Sequence, residues 1–294
     1  MFYLVLSILA STLILLIFRI FPKYHVDTFQ AIVFNYLIAF GVGFVLYGNE
    51  WKTDNLAFNT WPIYALLVGL LFISLFLLMG KSTQVNGLGV TSVTVKMSLA
   101  IPVILAIYLY QEALTFQKVL GILTAVLGVF LITYRKHKEI QIESNSNSNS
   151  NSNMIFLVIL FVGSGILDAL LNFVEKKVLG DFSPALFSAV SFGIAGSIGI
   201  LILVFSILTG KNKFKFRNVL AGIILGVPNY FSIYFLLMAV RNQDMDDSIT
   251  YALNNVGIVI FSFLLGLLLF KEKLTITRFL GVVCAIVAII TLVF

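Results

Sequence analysis

Charge is what this sequence has least of. Asp, Glu, Lys and Arg make up 11% of its 294 residues, where a soluble domain carries roughly 25%. That scarcity excludes a water-soluble globule, and a mean hydropathy of +1.05 points to a chain that crosses a membrane many times. Cysteine is nearly missing too. Cys284 stands alone in the last apolar run, which excludes an internal disulfide or a cysteine metal centre and leaves a small buried hydrophobe. The only histidines, His25 and His137, lie between apolar runs, and HExxH, CxxC, GxSxG and P-loop patterns are absent. Enzymatic chemistry, a resident cofactor and direct powering by ATP therefore find no residues to carry them. The net charge of +6 is not a nucleic-acid signal, because the basic residues sit in short loops where they orient helices against the membrane.

What is present is apolar length. A spanning helix needs about 20 residues, and ten runs approach that length, at roughly 2–20, 28–48, 61–80, 88–110, 116–134, 154–174, 184–209, 218–240, 247–270 and 276–294. The only substantial polar stretch, residues 135–153, begins with basic residues and ends in five Ser-Asn dipeptides. It has almost nothing to bury and reads as a disordered linker. It separates a first five-helix unit, 1–134, from a second, 154–294. The two units resemble each other. At an offset of 160, Leu109 meets Leu269, Glu112 meets Glu272, Leu114 and Thr115 meet Leu274 and Thr275, and Leu120-Gly121 meets Leu280-Gly281. An odd number of spans per unit inverts the second relative to the first. The expected fold is an all-α integral membrane protein of ten transmembrane helices in two inverted repeats, a layout typical of secondary transporters. Thirteen Lys and Arg residues fall in one set of alternate loops and five in the other, with Lys96 inside a span. The positive-inside rule puts the richer set in the cytoplasm and both termini outside.

The helix bearing Pro102, the Glu-x-Leu-Thr turn at Glu112, Leu114 and Thr115 and again at Glu272, Leu274 and Thr275, and the glycine-bearing helix that follows resemble the EamA-like branch of the drug/metabolite transporter superfamily. The two-repeat layout covers the whole chain. The resemblance implies a secondary active transporter of small metabolites such as amino acids or related solutes, in the cell (inner) membrane, and termini on the cytoplasmic side, opposite to the loop count. The chain departs from an even repeat where Ser262 stands opposite Pro102, so any bend is expected to be milder in the second half.

Polar residues inside the spans mark the candidate site. Lys96 is an intramembrane charge, which costs about 2.5–3.5 kcal/mol or more unless compensated, and Ser92 shares its helix face. Pro102 cannot donate to the carbonyl of Ser98, so a kink and a free carbonyl are expected there. Asp168 and Asn172 belong to a polar stripe with Ser164 and Glu175 on the sixth span, and Asp168 is the natural partner of Lys96, a pair that would titrate as a unit and allow proton coupling. Tyr251, Asn254 and Asn255 share one face of the ninth span, and Tyr230 lies beside Pro228 and Asn229 in the eighth. These eight residues, Lys96, Ser92, Asp168, Asn172, Tyr230, Tyr251, Asn254 and Asn255, form the expected substrate-binding set, each weighed against a purely structural role in packing or ion pairing. Glu112 and Glu272 read as structural, beside the helix caps Thr115 and Thr275. The expected function is export of a small polar solute by alternating access. Alternatives are a flippase for a lipid-linked polar group and a non-transporting receptor or scaffold. The partners are a small-molecule solute and membrane lipid, with a monomer or homodimer both open.

Overall fold

A computed structural model describes residues 1–48, 61–109, 115–133, 150–179, 184–211, 213–241, 247–272 and 275–293. These are almost entirely helical: α1 (Phe2–Ile20), a 3-10 turn (Phe21–Tyr24), α2 (Thr28–Tyr47), α3 (Trp61–Asn86), α4 (Leu88–Met97), α5 (Ala100–Leu109), α6 (Phe116–Thr133), α7 (Ser150–Lys177), α8 (Pro184–Leu208), α9 (Phe216–Arg241), α10 (Asp247–Phe270) and α11 (Ile276–Val293). Among the described residues eight helical stretches are long and apolar enough to cross a membrane, the fourth made of α4 and α5 together. The two others, α6 and α11, are 18 residues each and run to the edge of the described residues, with apolar stretches at Phe116–Leu131 and Ile276–Thr291. They pack side by side. The molecule is a multi-pass integral membrane protein. α7 begins at Ser150, within the Ser-Asn run; the linker residues 135–149 lie outside the described residues.

Helix packing follows small residues, as it must where lipid is as apolar as leucine. α2 runs antiparallel to α8, with Gly193, Gly196 and Gly199 meeting Phe40, Leu37 and Val33. It runs parallel to α9, where Gly222 and Gly226 lie against the backbone of Ala31 and Asn35. A Cβ at Gly222 would stand 2.8 Å from Ala31 O, and one at Gly226 would stand 2.8 Å from Asn35 O. Around this trio Phe18, Ile32, Tyr36, Phe192 and Leu225 form one core. A second core, of Val90, Val93, Met97, Ala125, Val259 and Ala285, surrounds α4.

Two expectations about the fourth span need correction. It is not one kinked helix: α4 ends at Met97 and α5 starts at Ala100. Nor is the Ser98 carbonyl left free by Pro102. It accepts the Ile101 N–H at 2.9 Å, so the tighter i→i+3 bond of a terminating turn replaces the one proline cannot make. The counterpart α10 runs unbroken through Ser262, because serine keeps its backbone donor. α9 likewise continues through Pro228.

Hydrogen bonds tie several elements at the end of the molecule where α4 begins. Asp27 caps α2 through the Gln30 N–H at 2.9 Å, and Asn218 at the start of α9 donates to Gln30 Oε1 at 2.8 Å. Arg19 of α1 donates to the carbonyls of Thr83 and Gln84 in the last turn of α3, a position where a cation also meets the negative helix end. Arg217 donates to His25 O at 2.6 Å. Thr115 and Thr275 do cap their helices, accepting from the N–H of Lys118 and Arg278, both at 3.3 Å.

Candidate functional site

α4 is the most enclosed element of the fold. α1, α3, α6, α7, α10 and α11 all pack against it, and every residue from Leu88 to Thr94 is buried. Exposure then returns inside the bundle: Val95 and Lys96 are half-buried although their helix has neighbours on all these sides. The opening coincides with the break of the fourth span at Ser98. A matching signal comes from α7. Its lipid side is plain in the exposed Ile155, Val158, Ile159, Val162 and Ile166. At 3.6 residues per turn Asp168 lies about 180° from Ile159 and on the side of Leu157, Phe161 and Ser164. Leu157 and Ser164 are buried; Asp168, deep among protein atoms, is nevertheless exposed. We read the exposed Asp168 and the half-buried Lys96, both on helix faces turned toward other helices, as the borders of an open space.

Ser98 connects the two walls of that space. Its hydroxyl lies 2.6 Å from Val95 O and 3.4 Å from Asp168 Oδ2. With one proton to give, it holds the α4 terminus and leans toward the carboxylate. The Lys96 ammonium lies within electrostatic reach of the same Asp168, as a charge at bilayer depth requires. Non-helical backbone at this depth is tolerated where it lines a cavity, and here it meets a space bearing one charge of each sign. On α4 itself every residue between that break and the end where the helix begins, Leu88 to Thr94, is buried.

Residues 155–294 match the family model described as the EamA-like transporter family. The second half of the chain is thus similar to EamA-like transporters. EamA-like proteins belong to the drug/metabolite transporter superfamily. A Haemophilus influenzae protein described as uncharacterized is 28% identical over 293 residues, spanning 98% of this chain and 96% of its own length. A solved structure titled only as the crystal structure of a protein superposes with a TM-score of 0.57 at 12% identity, over 97% of this chain and 96% of that one. At that identity the likeness is one of fold.

The second half of the chain contributes the remaining polar groups. Ser262 of α10 donates to Ser92 Oγ of α4 at 2.5 Å, and Ser92 itself donates to Gly89 O at 3.0 Å. Ser92 therefore spends its hydroxyl on the crossing of α4 and α10 rather than facing the open space. Ser262→Ala is expected to lower stability by only about 0.6 kcal/mol, the usual worth of such a bond between membrane helices, read as a small fall in thermal midpoint in detergent. Asn254 is buried with its Oδ1 unpartnered, as is Thr250 Oγ1 one turn away; Asn255 is half-buried. Tyr230 is buried, stacks on Tyr234 with ring centroids 6.4 Å apart and presses its edge toward Gly43 of α2. Asn172 and Tyr251 lie on α7 and α10, but their side chains fall outside the described residues.

Sequence reasoning passed over Ser98 as a side chain and Asn35 altogether. Asn35 of α2 is fully buried, and neither its Nδ2 nor its Oδ1 has a partner; Asn229 Nδ2 is likewise unpartnered. An orphaned buried amide costs about 1–3 kcal/mol. Asn35→Leu, which keeps the heavy-atom count and the branching at Cγ, is expected to stabilise this conformation by up to that amount and to raise the thermal midpoint. A lowered midpoint would mean that the amide is bonded. Both misses have one cause: a lone Ser or Asn in an apolar run has no periodic signal, and only packing reveals whether it is satisfied.

Proposed function

We propose that this protein is a secondary active transporter, an exporter of small polar metabolites such as amino acids or related organic solutes, working by alternating access in the cell membrane. The observation that carries the reading is the open space at the break of the fourth span, flanked by Lys96 and Asp168. Lys96 would attract an anionic group of the solute, and Asp168 would exchange a proton when the solute leaves, so that the pair couples flux to a proton gradient. Asn254 and Asn255 supply amide donors and acceptors on the facing α10.

A ten-helix inverted repeat is the frame we infer, and the packing pattern supports it. The contact of α2 with α9 has its counterpart in α8 with α3; α1 with α9 corresponds to α7 with α3; α1 with α10 corresponds to α7 with α4. The pairs α2–α8, α4–α10 and α6–α11 each map onto themselves, as contacts across a pseudo-two-fold axis do. Loop charge supports placing the end where α4 begins in the cytoplasm, and we read this conformation as open to the outside. The test is uptake and counterflow in proteoliposomes with and without a pH gradient, across a panel of small zwitterionic and anionic solutes. Gradient-dependent flux of one class is expected; absence of flux for every solute would remove the transporter reading.

A further inference from the structure

The Glu-x-Leu-Thr turn between α10 and α11 does something its local sequence does not announce. α10 ends in a turn with Lys271 at φ 51°, which folds Glu272 back so that its N–H meets Gly266 O at 3.1 Å. Its carboxylate then reaches into the other half of the chain, where Oε1 accepts the Leu88 N–H at 2.9 Å. Leu88 is the first residue of α4, so this is a helix cap delivered from 184 residues away. The seat is cut for a carboxylate: a Cβ on Gly87 would stand 2.4 Å from Glu272 Oε1, and one on Gly266 would stand 2.7 Å from Oε2. Gly87 also holds φ at +95°, a conformation only glycine adopts freely.

We propose that Glu272 is the latch that keeps the transport path shut at the end where α4 begins. The inference rests on the alternating-access reading above. Three features support it. The bond joins the two halves that must part for the path to open on that side. It fastens the very helix whose residues Leu88 to Thr94, between the break at Ser98 and that end, are all buried. It is also readily broken, because a half-buried carboxylate and one helix N–H can both exchange this single bond for bonds to water. Arg19, bound to the end of α3 and lying 5.8 Å over the Phe270 ring at the end of α10, braces the same closure. Release of Glu272 shifts the protein toward the state open on the latched side.

The experiment reads accessibility and needs no substrate. In a Cys284→Ala background, Val95→Cys places a single thiol at the edge of the open space, and an impermeant thiol reagent is applied from one side or the other of oriented proteoliposomes. Glu272→Ala is expected to raise the labelling rate from the latched side at least about tenfold and to lower it from the opposite side, while Glu272→Gln, which keeps an acceptor oxygen, stays near the parent. Unchanged rates on both sides overturn the latch. A rise on both sides also overturns it, because that reports loosening of the fold. Flux assays on the same vesicles report separately on whether the protein transports at all.

Discussion

Lys96→Met is expected to cut solute uptake by about 10- to 150-fold while leaving the helical fold intact. Methionine is unbranched and only one heavy atom shorter, so the neighbouring core of Met97, Val90 and Val93 keeps its packing. What disappears is the one charge on α4, in a space where Asp168 is the charged group on the facing helix. A hydrogen bond to a charged group contributes about 1.5–3 kcal/mol, and each 1.4 kcal/mol is a factor of ten in affinity; that sets the range. Asp168→Asn separates binding from coupling. Asparagine preserves the shape and an acceptor for Ser98 but cannot carry a proton. Exchange of solute against solute is then expected to continue, and accumulation driven by a pH gradient to vanish. The two variants are compared in proteoliposomes, scoring counterflow and gradient-driven uptake side by side. Equal flux for Lys96→Met and the parent would remove Lys96 from the mechanism, and gradient-driven accumulation surviving in Asp168→Asn would place the proton elsewhere.

The second large effect is structural. Gly222→Val is expected to destabilise the protein by about 1–3 kcal/mol, the range for overpacking a well-fitted contact, and to lower the thermal midpoint by several degrees. A Cβ there would lie 2.4 Å from the Phe34 Cβ and 2.8 Å from Ala31 O. Neither neighbour can rotate away, since one is a backbone oxygen and the other the root of a side chain, so α2 and α9 must separate. Gly41→Ala on the same helix α2 is the control. A Cβ at Gly41 meets nothing within 4 Å, and replacing a helical glycine by alanine is worth about 0.5–1 kcal/mol in the stabilising direction. If both variants melt alike, close approach at Gly222 is not what holds α2 on α9.

The sequence and the structure agree best where information is local. Long apolar runs identify helices through the cost of unbonded backbone in lipid, and Thr115 and Thr275 identify caps because their partners lie three residues on. Lys96 and Asp168 stand out because charge is so rare. Legibility fails where the deciding partner is distant in the chain. Glu272 looks like a local feature of its own turn, yet it serves Leu88; Ser92 shares a helix face with Lys96 but bonds to Ser262 instead. Pro102 announced a bend, but not that the bend would be a complete break two residues wide, nor that Ile101 would restore the missing bond. The unsatisfied amide of Asn35 was invisible for the same reason: satisfaction is a property of neighbours.

The glycine contacts of α2 have a consequence for how the bundle can rearrange. Gly222 and Gly226 lie against the backbone of Ala31 and Asn35, so at those points no layer of side chains separates α2 from α9. Close-packed surfaces of that kind transmit displacement instead of absorbing it, and the two helices are expected to travel as one body.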